Sequence, residues 1–98
     1  MKRAEILKAA DECVNGARAQ DRGEPEDSFG CVAEFWEVYF KYRLAYCAGT
    51  ISILPQDVAA MMGLLKLARI ATGRSDPDNW VDLAGYAACG GELEASDE

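Results

Sequence analysis

The sequence predicts an all-α fold: a four-helix, bundle-like single domain, its core completed by oligomerisation. Three observations carry this prediction. Apolar residues recur at helical spacing in four segments. Each segment is bounded by proline, glycine or Asp-Pro punctuation. The short alternating stretch Ile51-Ser-Ile53 has no partner strand elsewhere and reads as part of a loop.

The first helix is expected from Arg3 to Arg18. Ile6, Ala10, Cys13, Val14 and Ala17 share one face, with Lys8, Asp11, Glu12 and Asn15 opposite, so it should dock on something larger. Gln20-Asp-Arg-Gly-Glu-Pro-Glu-Asp27 is turn chemistry, because Gly23 permits positive φ and Pro25 presets its own. The second helix is expected from Glu26 to Ala48. Phe29, Val32, Phe35, Trp36, Tyr39, Phe40, Tyr42, Leu44 and Tyr46 almost surround it, leaving a narrow polar strip of Glu34, Glu37 and Lys41.

Pro55 opens the third helix at its first position, with Asp57 in the first turn, and Gly73 closes it. In Ser75-Asp-Pro-Asp-Asn79, Asp76 is the N-cap and Pro77 the first residue of the fourth helix. Trp80, Leu83, Ala84 and Ala87 form the expected apolar face of that helix, and Asp78, Asn79, Asp82 and Tyr86 its polar one. Gly90-Gly91 should weaken or end it, leaving residues 92–98 as a frayed acidic tail. Helices two and three are expected to be the central antiparallel pair, and residues 1–98 a single domain.

Half of the 98 residues are hydrophobic, more than one small core readily hides, which argues for a homo-oligomer. The net charge is −7 with no basic stripe, so electrostatic binding of duplex DNA or RNA is not expected. With no histidine and no Cys-x-x-Cys, the usual zinc sites and histidine-based chemistry are excluded. A metal would be a hard cation held by carboxylates, such as Mg2+. Met1-Lys-Arg-Ala-Glu-Ile-Leu7 does not read as a signal peptide, and no apolar run is long enough to span a bilayer. The expectation is a cytoplasmic protein whose Cys13, Cys31, Cys47 and Cys89 are reduced core residues.

The third helix carries two cations, Lys66 and Arg69, in apolar surroundings and one turn apart. A buried cation needs a carboxylate or a bound anion to offset lost hydration. The pair therefore belongs either to an internal salt-bridge network with Asp82 or Glu34, or to a site for an anionic ligand. Glu34 and Glu37 are i and i+3 on one helix; Asn79 and Asp82 have the same spacing on another. Were those faces to meet, three carboxylates could hold a divalent metal beside the two cations. The bland alternative for Glu37 is an i, i+4 pair with Lys41 on a solvated face. Trp36 and Trp80 are expected in the core.

Arg18-Ala-Gln-Asp-Arg-Gly-Glu-Pro-Glu-Asp-Ser-Phe29, Pro55-Gln-Asp-Val-Ala-Ala-Met-Met-Gly-Leu-Leu-Lys-Leu-Ala-Arg-Ile70 and Asp78-Asn-Trp-Val-Asp-Leu-Ala-Gly-Tyr-Ala87 resemble a family of small phage and prophage proteins of unassigned function. That family is in turn similar to nucleotide-modification-associated domains and, more distantly, to the all-α nucleotide pyrophosphohydrolases of the MazG type. The MazG-type enzymes hold magnesium through Glu-x-x-Glu and Glu-x-x-Asp. Glu34 and Glu37 match the first pair, Asp82 with Tyr86 matches the end of the second, and Asn79 stands where a glutamate belongs.

The resemblance implies a phage-type protein in the host cytoplasm. It would bind a nucleotide, cyclic nucleotide or related signal, for instance to sequester a host defence signal. Lys66 and Arg69 would take phosphate and Asp82 and Tyr86 the sugar or base, with Arg18 and Arg22 joining if their loop folds over the ligand. One alternative is a magnesium-dependent pyrophosphohydrolase using Glu34, Glu37 and Asp82, a reading that the missing glutamate weakens. The other is a protein-only module that inhibits a host protein partner.

Overall fold

The computed structural model describes residues 1–16, 25–47, 49, 52–73 and 75–96. It contains α1 (Arg3–Asn15), α2 (Pro25–Tyr46), α3 (Pro55–Thr72) and α4 (Pro77–Ser96), with no strand among the described residues. The all-α prediction holds, and residues 52–54 are irregular chain as expected, while Ile51 lies outside the described residues.

Local chemistry explains the boundaries. Asp76 Oδ1 accepts the Asp78 N–H at 3.0 Å, the expected N-cap of α4. At the start of α3 the Leu54 N–H donates to Asp57 Oδ2 at 2.9 Å while the Asp57 N–H donates to the Leu54 carbonyl, also at 2.9 Å. These reciprocal bonds cap the helix although the N-cap residue is Leu54 and not a Ser, Thr, Asn or Asp. Gly73 ends α3 with its N–H on the Arg69 carbonyl at 2.9 Å. After α2, Gly49 turns the chain at φ 82° and its N–H donates to the Leu44 carbonyl at 3.0 Å. α1 stops at Asn15, short of the expected Arg18: Gly16 turns to extended backbone with its N–H on the Glu12 carbonyl, a position at which a Cβ would strike that oxygen.

Helix α3 is the centre, packed most extensively against α4 and less against α2. This corrects the expectation that helices two and three form the central pair. Both neighbours run antiparallel to α3. Trp36 Nε1 donates to the Met61 carbonyl at 2.9 Å and Tyr39 reaches Asp57, while Lys66 meets Asp82 and Ala59 meets Gly90. The seam between α3 and α4 is built of small residues. A Cβ at Gly90 would lie 3.0 Å from the Ala59 Cβ, and one at Gly63 would lie 3.4 Å from Leu83 Cδ1. Gly90 therefore does not end α4. It lets the two backbones approach, and the helix continues to Ser96 instead of fraying at Glu92.

The inward faces also differ from expectation. Asn79, Leu83, Tyr86 and Gly90 turn toward α3, rotated by roughly 80° from the predicted apolar face. Trp80 is consequently 58 % exposed rather than core. α2 presents Ser28, Val32, Trp36 and Tyr39 to α3, leaving Phe29, Tyr42 and Tyr46 largely in solvent. No residue of α1 is buried, so the predicted docking of this helix is not made among the described residues. Cys13 and Cys89 are exposed and Cys31 and Cys47 half-buried, all as free thiols; the core placement expected of them is not observed. No helix among the described residues is long and apolar enough to cross a membrane.

Candidate functional site: a cleft over a buried carboxylate

Among the described residues the most buried charged group is Asp57, at 2 % exposure. Its place in the first turn of α3 aims it at the last turns of α2, because a short connection makes the two helices antiparallel neighbours. Asp57 Oδ1 accepts the Tyr39 hydroxyl at 2.6 Å and Arg43 Nε at 3.0 Å, and Oδ2 accepts the Leu54 N–H at 2.9 Å. Tyr39 and Arg43 stand i and i+4 on α2, on the face turned to α3.

Electrostatics lock this arrangement at neutral pH. Burial pushes the Asp57 carboxyl up, but bonds from Tyr39, Leu54 and Arg43 outweigh it and hold the group below the usual carboxylate range. Burial first, then the bond to ionised Asp57, pushes the Tyr39 phenol up to about 12. The hydrogen bond and charge of Asp57 raise Arg43 above its ordinary value. Asp57 thus stays ionised and Tyr39 protonated, so the carboxylate is a fixed anchor, not a proton carrier.

Over this anchor lies a cleft of about 400 Å³ between α2, α3 and α4, within the size range of small-molecule sites. Tyr39, Arg43, Gln56, Tyr86 and Glu94 supply its polar and aromatic lining, and Ala59, Ala60, Ala87, Gly90 and Gly91 are too small to fill it. Among the described residues Arg43 is engaged only through Nε, which leaves its terminal nitrogens as donors. The phenol oxygen of Tyr39 gives its proton to Asp57 and can still accept. The cleft thus offers a cationic fork, two tyrosines and the Glu94 carboxylate.

The predicted site residues are partly dispersed. Tyr86 lines the cleft, but Lys66, Arg69 and Asp82 do not. Lys66 is buried and its Nζ lies 2.9 Å from Asp82 Oδ2, the internal ion pair that was one of the two expected outcomes. Arg69 is half-exposed and its guanidinium makes no hydrogen bond or ion pair among the described residues. Its position in the last turn of α3 suits the negative end of the helix dipole.

Glu34 and Glu37 are exposed. Among the described residues no three acidic, cysteine or histidine side chains gather as metal ligands, so the convergence of Glu34, Glu37 and Asp82 that the enzyme alternative requires is not seen. The Glu37–Lys41 pair is not formed either; Lys41 Nζ instead lies 5.8 Å over the Tyr42 ring. Arg18 and Arg22 lie outside the described residues. Sequence reasoning passed over Tyr39, Arg43 and Glu94. A usable signal existed: an arginine in the last turn of one helix and an aspartate in the first turn of the next, joined by a short loop.

A family profile described as "Domain of unknown function (DUF6378)" matches residues 5–94. The Gene 55 protein of Mycobacterium phage L5 is 39 % identical over 82 residues, covering 84 % of this chain and 47 % of the relative. The Gene 55 protein of Mycobacterium phage D29 is 30 % identical over 84 residues, covering 86 % of this chain and 50 % of the relative. The chain therefore spans about half the length of these curated relatives. No solved structure matches it.

Proposed function

This chain belongs to the DUF6378 family of phage proteins, and from the lining of the cleft between α2, α3 and α4 we propose that it binds a nucleotide or nucleotide-derived signal there. The observation that supports this reading most is Arg43. Its Nε is tied to buried Asp57, which pre-orients the guanidinium, and its terminal nitrogens remain available to an anionic group. Tyr86 offers a ring for a base, and Glu94 an acceptor for amino or hydroxyl groups. Sequestration in the host cytoplasm is a role that binding alone would serve. Binding is favoured over magnesium-dependent hydrolysis by the placement of the acids: Glu34 and Glu37 are exposed and Asp82 is paired with Lys66. Arg69 is the second candidate for the phosphate.

Thermal-shift screening against nucleoside mono- and triphosphates and cyclic dinucleotides, with and without Mg2+, tests the reading. A ligand at about 100 times its Kd stabilises by about 2.7 kcal/mol, a rise on the order of 10 °C or more for a domain this small. Arg43→Met should abolish that rise and Arg69→Met should leave it. The reverse pattern would move the phosphate to the far end of α3. Magnesium-dependent pyrophosphate release would establish the enzyme, and no response to any nucleotide would favour the protein-partner reading.

A further inference from the structure

Among the described residues the outer flank of α2 has no partner. Cys31, Phe35, Val38, Tyr42 and Tyr46 fall within roughly 80° of arc and extend for about 22 Å along the helix. Val38, Tyr42 and Tyr46 are 56 %, 58 % and 87 % exposed. A second cleft, of about 360 Å³, lies on this stripe and is lined by Val38, Tyr39, Tyr42, Arg43 and Tyr46. We propose that this stripe is the interface with a second copy of the chain, the two α2 helices packing antiparallel about a two-fold axis near Val38.

Two observations bear on a second copy. The first is area. The accessible surface is 7418 Å², against about 5,500 Å² expected for a compact monomer of this mass. The excess of about 1,900 Å² is shared with α1, which has no buried residue, and leaves room for the roughly 800 Å² that each partner buries in a standard interface.

The second is charge symmetry. Glu34 and Lys41 border the stripe at nearly equal distances on either side of its midpoint. Antiparallel self-pairing therefore sets Glu34 of each copy against Lys41 of the other. Tyr39 and Arg43 line both clefts, so the second copy would sit against the outer wall of the ligand site. The proposal stands without the ligand reading, since its test needs no ligand.

Sedimentation equilibrium of the full chain at about 100 µM, a concentration that populates interfaces of this size, should give twice the 10.7 kDa of one chain. Val38→Asp should give monomers with the helical circular dichroism intact, and Tyr46→Glu, at the end of α2, is the second variant should the first not fold. Lys41→Glu alone should weaken association by about tenfold, and adding Glu34→Lys should restore it. A monomeric wild type, a dimer indifferent to Val38→Asp and Tyr46→Glu, or a charge-swapped pair that fails to regain association would each overturn the proposal.

Discussion

Adjacent glycines in α4 should respond in opposite ways to the same added methyl group. Gly91 lies inside α4 with nothing within 4 Å of a built Cβ. Gly91→Ala should therefore recover the helix-propensity penalty of glycine, about 0.8–1 kcal/mol. Gly90→Ala recovers the same amount but sets two methyl carbons 3.0 Å apart, the other on Ala59 of α3. Carbon atoms prefer roughly 3.5–4.0 Å, so the helices must separate by about half an ångström or more, and overpacking of this kind costs roughly 1–3 kcal/mol. The net change for Gly90→Ala runs from about zero to a loss of about 2 kcal/mol. At about 4–8 °C per kcal/mol for a domain this size, Gly91→Ala should raise Tm by several degrees while Gly90→Ala leaves it flat or lowers it. Circular dichroism melts and urea titrations at one fixed protein concentration make the comparison, because association would also move Tm. If Gly90→Ala stabilised as much as Gly91→Ala, the close-packed seam would be wrong.

Three further outcomes follow from the buried charges. Asp57→Ala removes the cap of α3 and the anchor of α2 together. Urea denaturation should show a loss of about 2–3 kcal/mol, because the stranded Tyr39 and Arg43 are near enough to solvent to rehydrate; a change under about 0.5 kcal/mol would refute the anchor role. On pH, the Asp57 contribution is present above its ordinary value of 3.8 and is lost as pH falls through its lower folded value. The Tyr39 contribution is present below pH 10.0 and fades as pH rises toward about 12. It amounts to at most about 2–3 kcal/mol, and Tyr39→Phe should remove that alkaline component. Finally, Arg69→Met should leave stability within about 0.5 kcal/mol, whereas Asp82→Ala strands the buried Lys66 ammonium and should cost about 1–2 kcal/mol, moderated by the exposure of Asp82. Equal losses for Arg69→Met and Asp82→Ala in thermal melts would restore Arg69 to the ion-pair network.

The site was less legible than the fold. The resemblance points to Tyr86, which does line the cleft, but the cation beside it is Arg43 rather than Lys66 or Arg69. On a helical wheel Arg43 is one charge near the end of an aromatic helix. Its bond to Asp57 depends on how α2 and α3 are brought together across the connection between them. Lys66 was rightly singled out as a buried cation needing compensation, and Asp82 supplies it.

What the sequence by itself determined is whatever acts within a turn or two of the chain. Pro55 and Pro77 start helices, Asp76 caps one and Gly73 closes another, because the covalent limits on φ and the reach of a short side chain need no tertiary partner. Only the tertiary structure decided the rotation of α4 and the central place of α3. It also turned Gly90 from an expected helix breaker into a contact point and put Trp80 in solvent. A glycine carries no side chain from which a neighbour can be inferred. An apolar residue on a helix nearly ringed with apolar residues does not say which side is buried. The Cβ of Ala59, the ammonium of Lys66 and the carboxylate of Asp57, all on α3, settled those choices by what each could pack against or pair with.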